Sequence, residues 1–197
     1  MSGPAKTPPR MGAVLLAIAR VARGRRDGLA LFGGTPQSVL GALTPLVAFL
    51  LVGALIGLVG GSRDAVQDVA AIAVGLLGSL VFSFEIAHRW ARGEEWFRFA
   101  TAFCWCQWAA PMILMVMLIL VALMIMGGVP EVMAAGLGLA ALFVYGLWLQ
   151  WFLARNALSL SSPRAAALVA GMNVLTTILI AIPQLADYAL NGLPPAS

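Results

Sequence analysis

An unbroken apolar run, PMILMVMLILVALMIM at positions 111–126, constrains the possible fold of this chain more than any other feature of its sequence. A run of this kind fits a helix that crosses a lipid bilayer, because a spanning helix needs about 20 mostly apolar residues. The whole chain is 61% hydrophobic and 10% charged, whereas soluble domains carry about 25% charged residues. A soluble fold of 197 residues could not bury so much apolar surface, so lipid is the expected solvent.

Five windows of the sequence are long and apolar enough to form membrane-spanning helices. Short polar or glycine-containing segments separate them, and such short connections favour antiparallel packing of successive helices. The predicted fold class is therefore all-α, a polytopic membrane helical bundle with about five transmembrane helices preceded by an amphipathic surface helix. The predicted transmembrane domain covers 37–190, with spans at about 38–60, 69–88, 101–126, 132–153 and 164–186.

The N-terminal segment, residues 1–36, is predicted to lie outside the membrane core, with residues 1–10 disordered. Its apolar side chains share one face of a helix, and arginines lie on the opposite face. The apolar face consists of Val14, Leu15, Ile18, Val21 and Ala22. We favour an amphipathic helix on the cytoplasmic leaflet, and a cleaved secretory signal is the alternative interpretation.

Lysines and arginines are distributed unevenly among the connections. With five spans, all twelve except Arg63 fall in the N-terminal segment, the second connection or the fourth connection, which share one side. Cytoplasmic loops carry an excess of these residues, so we expect a cytoplasmic N-terminus and a periplasmic C-terminus with a short tail at 191–197. The expected location is the inner (cytoplasmic) membrane of a bacterium. The net charge of +4, without a base-reading basic face, indicates contact with anionic lipid headgroups and not with nucleic acid.

Both cysteines lie in the stretch FCWCQW, which directly precedes the longest apolar run. Cys104 and Cys106 are two residues apart, so a helix directs them to different faces, and an internal disulfide is not expected. A single distant histidine does not complete a zinc site. We therefore interpret both cysteines as small apolar packing residues.

A polar notch beside the cysteines, between the third and fourth spans, is one hypothesis for this stretch. Pro111 would kink the third helix and free a backbone carbonyl near Gln107. Trp105, Gln107 and Trp108 would then border a crevice that opens to the cytoplasm. The alternative, which we favour, is a broad aromatic belt with ordinary helix packing. Asn173 lies at a similar depth in the fifth span, so we expect a Gln107–Asn173 hydrogen bond, either as structural glue or within a polar pocket.

Glu85 and His88, with Arg89, form the only dense ionisable cluster inside or beside a span. As a functional site the cluster would be proton-linked or would bind a lipid headgroup. As structure, which we favour, it is a helix end at the interface in which the glutamate is paired and the arginine extends to the headgroups. One Glu-x-x-His copy without further carboxylates does not indicate a metal site.

No arrangement of nucleophile, general base or metal ligands is recognisable in the sequence. Catalytic residues, metal ligands and cofactors are therefore not expected, and neither is enzymatic activity. The expected partners are the lipid bilayer and other membrane proteins.

Two segments accompany the five closely spaced spans: FGGTPQSVLGALTP (32–45) before and into the first, and GEEWFRFATAFCWCQWAAP (93–111) before and into the third. Over roughly 31–188 this plan resembles the Yip-domain family, small five-span membrane proteins named for interaction with Ypt/Rab GTPases. The YGP-type motif of the eukaryotic members is absent from this sequence. The resemblance therefore does not predict GTPase binding, and it implies no functional residues in this chain. The resemblance implies a non-enzymatic membrane organiser, adaptor or accessory subunit. The alternative is a small transporter, or a lipid- or quinone-binding subunit of a larger membrane complex.

Overall fold

The computed structural model describes residues 11–191, and it describes side chains at 12–62 and 65–182. The described residues form seven α-helices and no strands, which confirms the predicted all-α fold class. The helices are α1 (Met11–Ala22), α2 (Pro36–Val59), α3 (Arg63–Arg89), α4 (Gly93–Cys106), α5 (Ala109–Met126), α6 (Glu131–Ala157) and α7 (Ser162–Asn191). A short 3₁₀ helix, Arg26–Leu31, lies between α1 and α2. The disorder expected at 1–10 and the tail from 192 onward lie outside the described residues.

Five of the helices are long and apolar enough to cross a membrane, as the sequence predicts. These candidate spans are Pro36–Val59, Ala65–Arg89, Ala109–Met126, Glu131–Ala157 and Ser162–Ile182. A helix that is apolar around its whole circumference, such as α5, is stable against lipid or inside a large core. The helix α1 is the shorter element that precedes the bundle.

The third span differs from the expected range of 101–126, because the structure divides that range between α4 and α5. The break lies at Gln107 and Trp108, and its cause is Pro111, whose ring cannot fit against the carbonyl four residues earlier in a regular helix. That carbonyl belongs to Gln107, and it accepts a hydrogen bond from the Ala110 N–H at 3.2 Å. The prediction of a free carbonyl near Gln107 is therefore wrong.

Local sequence explains where the long helices begin and end. The Thr35 hydroxyl accepts from the Ser38 N–H, and the Ser38 hydroxyl accepts from the Thr35 N–H, so a capping box starts α2. Ser62 caps α3 by accepting from the Ala65 N–H at 3.2 Å. Gly61 after α2 and Gly128 after α5 have φ values of +70° and +91°, which only glycine adopts without strain.

The helix α4 is the centre of one end of the bundle, where it contacts α1, α2, α3 and α6. Most of its second half is buried, including Phe99 and Phe103. Two hydrogen bonds tie its polar side chains to neighbouring helices. The Thr101 hydroxyl lies 3.1 Å from the Ser38 hydroxyl of α2, and the Trp96 indole donates to the buried Ser83 hydroxyl of α3 at 3.0 Å.

The helix α1 packs on this same end through the face that contains Val14, Ala17 and Val21, all of them buried. The expected apolar face differs in one member, because Leu15 is 61% exposed. The reason is angular: each residue advances the helix by about 100°, which turns Leu15 away from the face that contacts α4. The Tyr145 hydroxyl of α6 donates to the Ala22 carbonyl at 2.8 Å and fixes the end of α1.

Several arginines gather at the end of the bundle where α3 and α6 finish and where α2, α4 and α7 begin. We call this the arginine-rich end. It contains Arg26, Arg89, Arg92, Arg98 and Arg155. All five belong to the segments that the lysine and arginine distribution assigns to the cytoplasmic side.

Candidate functional site

A mostly apolar, partly open cavity of about 530 Å³ lies between α2, α3, α7 and the junction of α4 with α5. Cavities of this size are typical of small-molecule sites, which usually have apolar walls and a few polar groups that orient the ligand. The apolar lining includes Phe49 on α2, Ile72 on α3, Phe103 on α4 and Ile180 on α7. The cavity can therefore hold an apolar molecule at the depth of the spans.

Polar side chains from three helices and from the α4–α5 junction meet in this cavity. The Asn173 side-chain amide donates to the side-chain amide oxygen of Gln150 and to the Val169 backbone carbonyl, both at 2.8 Å. The Ser79 hydroxyl of α3 lies 3.1 Å from the Thr176 hydroxyl of α7. These bonds satisfy part of the polar lining and leave the amide NH₂ of Gln150 without a hydrogen-bond partner among the described residues.

The expected Gln107–Asn173 hydrogen bond is wrong, because Asn173 bonds to Gln150 of α6. Gln107 and Asn173 nevertheless line the same cavity, as their similar depth in the spans predicts. Depth along the helix does not determine rotation about its axis, however, and rotation selects the partner. The Gln107 side chain forms no hydrogen bond with any described residue, so its amide can donate and accept within the cavity.

The candidate residue Trp108 also lines the cavity. Its ring meets Phe49 of α2 edge to face, with ring centroids 5.6 Å apart. Aromatic pairs favour this edge-to-face geometry. Here the pair closes one side of the cavity. The indole nitrogen of Trp108 is buried and has no hydrogen-bond partner within the described part of the chain.

The candidate residue Trp105 does not line this cavity but packs against the hydrophobic core. Cys104 and Cys106 are buried and free, in keeping with their interpretation as packing residues. A second, smaller cavity of about 110 Å³ lies between α6 and the α4–α5 segment, where the crevice between the third and fourth spans was predicted. Gln107 and Gln150 line both cavities, so their side chains lie between the two.

Glu85 and His88 line neither cavity. The six candidate residues of the sequence therefore do not form a single site. Arg89 donates to the Glu85 carboxylate at 2.8 Å, and both side chains are more than half exposed. His88 stacks on Phe84 with ring centroids 6.1 Å apart. This is the paired helix end that we favoured from the sequence.

Gln150, Ser79 and Thr176 line the cavity although they were not among the candidate site residues. Their only signal in the sequence is a polar side chain within an otherwise apolar span, and such side chains commonly join helices in membrane proteins. That signal identifies polar positions but does not show which of them face each other.

Five apolar spans around a mostly apolar cavity define a multi-pass helical membrane protein. Comparison with protein-family models, curated proteins and solved structures finds no match to this chain. Membership of the Yip-domain family therefore stays a prediction from the sequence pattern.

Proposed function

We propose that this chain is a non-catalytic membrane protein that binds one elongated apolar molecule with a polar head, of the lipid or quinone class. The cavity of about 530 Å³ carries this proposal, since it combines long apolar walls with a small group of amides. The role fits an accessory subunit of a larger membrane complex. The location that we propose, from the distribution of lysine and arginine, is a bacterial inner membrane with a cytoplasmic N-terminus.

The polar head of the ligand would meet Gln107 and Gln150. Both amides offer hydrogen-bonding groups that no described residue occupies, and a ligand oxygen or hydroxyl could use them. The apolar part would extend along Phe49, Ile72 and Ile180, where burial of apolar surface supplies most of the affinity. An amide left unpaired in an apolar cavity is costly, so a ligand that pairs with it gains specificity.

The test is extraction of lipophilic molecules that remain bound after purification in a mild detergent, followed by mass spectrometry. We expect about one retained molecule per chain, lost in the cavity-filling variant Ala71→Trp and reduced in Gln107→Ala. The matched controls are Ala73→Trp, on the same helix but outside the cavity, and Gln67→Ala, at an exposed position. Equal retention by all four variants would contradict the proposal.

The organiser or adaptor role implied by the family resemblance is a second proposal, favoured by one observation on α5. This helix packs against α6 and, near its start, α4, and it has the smallest buried share of the five candidate spans. Its remaining apolar faces must contact lipid or another membrane protein. Co-purification of a second membrane protein after mild extraction supports the role, whereas repeated isolation of a lone monomer argues against it.

A further inference from the structure

Three arginines that are far apart in the sequence meet around one cavity at the arginine-rich end. Arg26 of the 3₁₀ helix, Arg98 of α4 and Arg155 of α6 line a partly open cavity of about 470 Å³, together with Asn156 and Ser159. We call these five residues the arginine pocket. It shares no residue with the cavity between the helices, so it is a separate feature of the molecule.

The arginines of this pocket have no acidic partner within residues 12–62 and 65–182. Of the three acidic side chains that lie near them in sequence, two are engaged with other arginines, and Glu94, four residues before Arg98, forms no ion pair within the part of the chain that the structure describes. Asp27 pairs with Arg20 and Arg25, and Glu95 pairs with Arg92. Three positive charges thus converge without a direct ion pair among the described residues, although the Glu95 carboxylate is close enough to feel the charge of Arg98. An anion would stabilise this arrangement.

One of the three arginines is held in position by a neighbouring ring, and a second lies along a loop. The Arg155 guanidinium lies over the Trp151 ring, 5.2 Å from its centroid, in a cation–π contact. Arg98 extends along the loop before α2, where a Cβ added to Gly34 would lie 3.8 Å from its Nε and Nη2 atoms. A binding site loses less entropy when its charged groups are already placed.

The chemistry of the pocket suits a phosphate group. Guanidinium groups are planar, remain charged and form paired hydrogen bonds with phosphate oxygens, so arginine clusters favour phosphate over a simple halide. The neighbouring Ser159 lies in the turn after α6 with a φ of 52°, exposed beside the cavity. Its hydroxyl adds one further donor.

The surroundings favour a phosphate that is attached to lipid. The 3₁₀ helix that contains Arg26 packs against α1, where Leu15 is 61% and Leu16 is 47% exposed. Exposed leucines beside a basic cluster are typical of helices that insert into the boundary between headgroups and acyl chains. We propose that the arginine pocket binds the phosphate group of an anionic phospholipid from the leaflet at this end of the bundle.

The test uses the full-length protein in a neutral detergent, titrated with phosphatidylglycerol, and bound lipid is counted by native mass spectrometry. Phosphatidylcholine and inorganic phosphate form two separate arms. We expect Arg98→Gln and Arg155→Gln each to weaken phosphatidylglycerol binding roughly tenfold or more, because each removes charge-assisted hydrogen bonds. Arg23→Gln and Arg164→Gln change the net charge equally at exposed sites outside the pocket, and they should leave binding within about twofold.

Three results would overturn the proposal. Equal weakening by pocket and control substitutions would indicate general charge attraction, and equal binding of phosphatidylcholine would show that the anionic headgroup is not recognised. Displacement of phosphatidylglycerol by an equal concentration of inorganic phosphate would assign the pocket to a soluble anion. Arg155→Lys keeps the charge but not the planar fork, so intermediate binding by this variant supports the proposal even if a glutamine variant folds poorly.

Discussion

At the scale of single residues, Trp108 combines a favourable aromatic contact with an unfavourable polar atom. Its ring packs edge to face on Phe49, while its buried indole nitrogen has no partner among the described residues. An unsatisfied buried donor costs about 1–3 kcal/mol. The residue therefore contributes to stability through its shape and not through its hydrogen-bonding group.

We expect Trp108→Phe to change the free energy of unfolding by less than about 1 kcal/mol, because the unsatisfied donor disappears together with part of the ring. Trp108→Ala should cost about 3 kcal/mol or more, since the contact with Phe49 is lost and the cavity grows. Reversible unfolding in detergent measures both. Equal losses in the two variants would show that the indole N–H is important after all.

The ionisation of Glu95, in the first turn of α4, makes the stability of the protein depend on pH. Its carboxylate accepts hydrogen bonds from its own backbone N–H and from Arg92, which lower its pKa below the ordinary value of 4.5. Because the folded pKa lies below the unfolded one, the stabilisation is complete above about pH 4.5 and disappears as pH falls through the lowered value. The side chain is partly exposed, so the effect is small.

We expect the wild type to have a higher Tm than Glu95→Gln at neutral pH, and the difference to vanish in acid. Glu94→Gln removes the same charge one residue away, without loss of the Arg92 hydrogen bond, and serves as the control. Thermal unfolding of the three proteins in detergent between neutral and acid pH measures the difference. A gap between wild type and Glu95→Gln that widens as pH falls would have the wrong sign.

At the scale of elements, α3 and α7 approach each other closely because glycines lie in their interface. A Cβ added to Gly171 of α7 would lie 2.6 Å from Cζ of Phe82 on α3, and one added to Gly78 would lie 2.7 Å from Leu179 Cδ1. Small residues allow such contact where helices pack in lipid. The same approach brings Ser79 and Thr176 within hydrogen-bonding distance.

Gly171→Ala should therefore destabilise the protein by about 1–3 kcal/mol, the usual cost of an extra methyl group in a packed interface. Gly136→Ala is the matched control, because an added Cβ there meets nothing within 4 Å. Alanine is the better helix former by roughly 0.5–1 kcal/mol, so the control should be neutral or stabilising. Unfolding in detergent compares them, and equal effects would contradict the close packing of α3 on α7.

At the scale of the whole molecule, the arrangement of charges predicts the topology in the membrane. Alkaline phosphatase fusions after Ser62, Val129 and Ser197 should be active, because these positions would be periplasmic. Fusions after Arg92 and Ser161 should be inactive, because these positions would be cytoplasmic. Activity at each position in intact cells is the measurement. An inactive fusion at Ser197 would contradict the predicted orientation of the C-terminus.

The bundle could be predicted from the sequence to the level of its helices, because apolar length and glycine-rich turns are local signals. The division at Gln107 was foreseen only as a kink, since Pro111 identifies the position of a break but not its extent. The partner of Asn173 was missed for a different reason. Sequence gives depth at about 1.5 Å per residue, but the rotation of each helix depends on packing against all the others. For the same reason the sequence places Trp105 in the notch, whereas the structure has it partly buried against the core.

The division of the third span leaves two antiparallel neighbours of unequal length. The 18 residues of α5 extend about 27 Å, and the 27 residues of α6 extend about 40 Å, whereas the hydrocarbon layer is about 30 Å thick. The charged residues at the two ends of α6, Glu131 and Arg155, favour the headgroup regions, whereas the hydrophobic mismatch of the shorter α5 is relieved by thinning the bilayer beside it. A thinned patch of membrane costs energy along its perimeter. Sharing one patch shortens its total perimeter, so thinning of this kind favours association between membrane proteins through the lipid alone, without contact between their side chains.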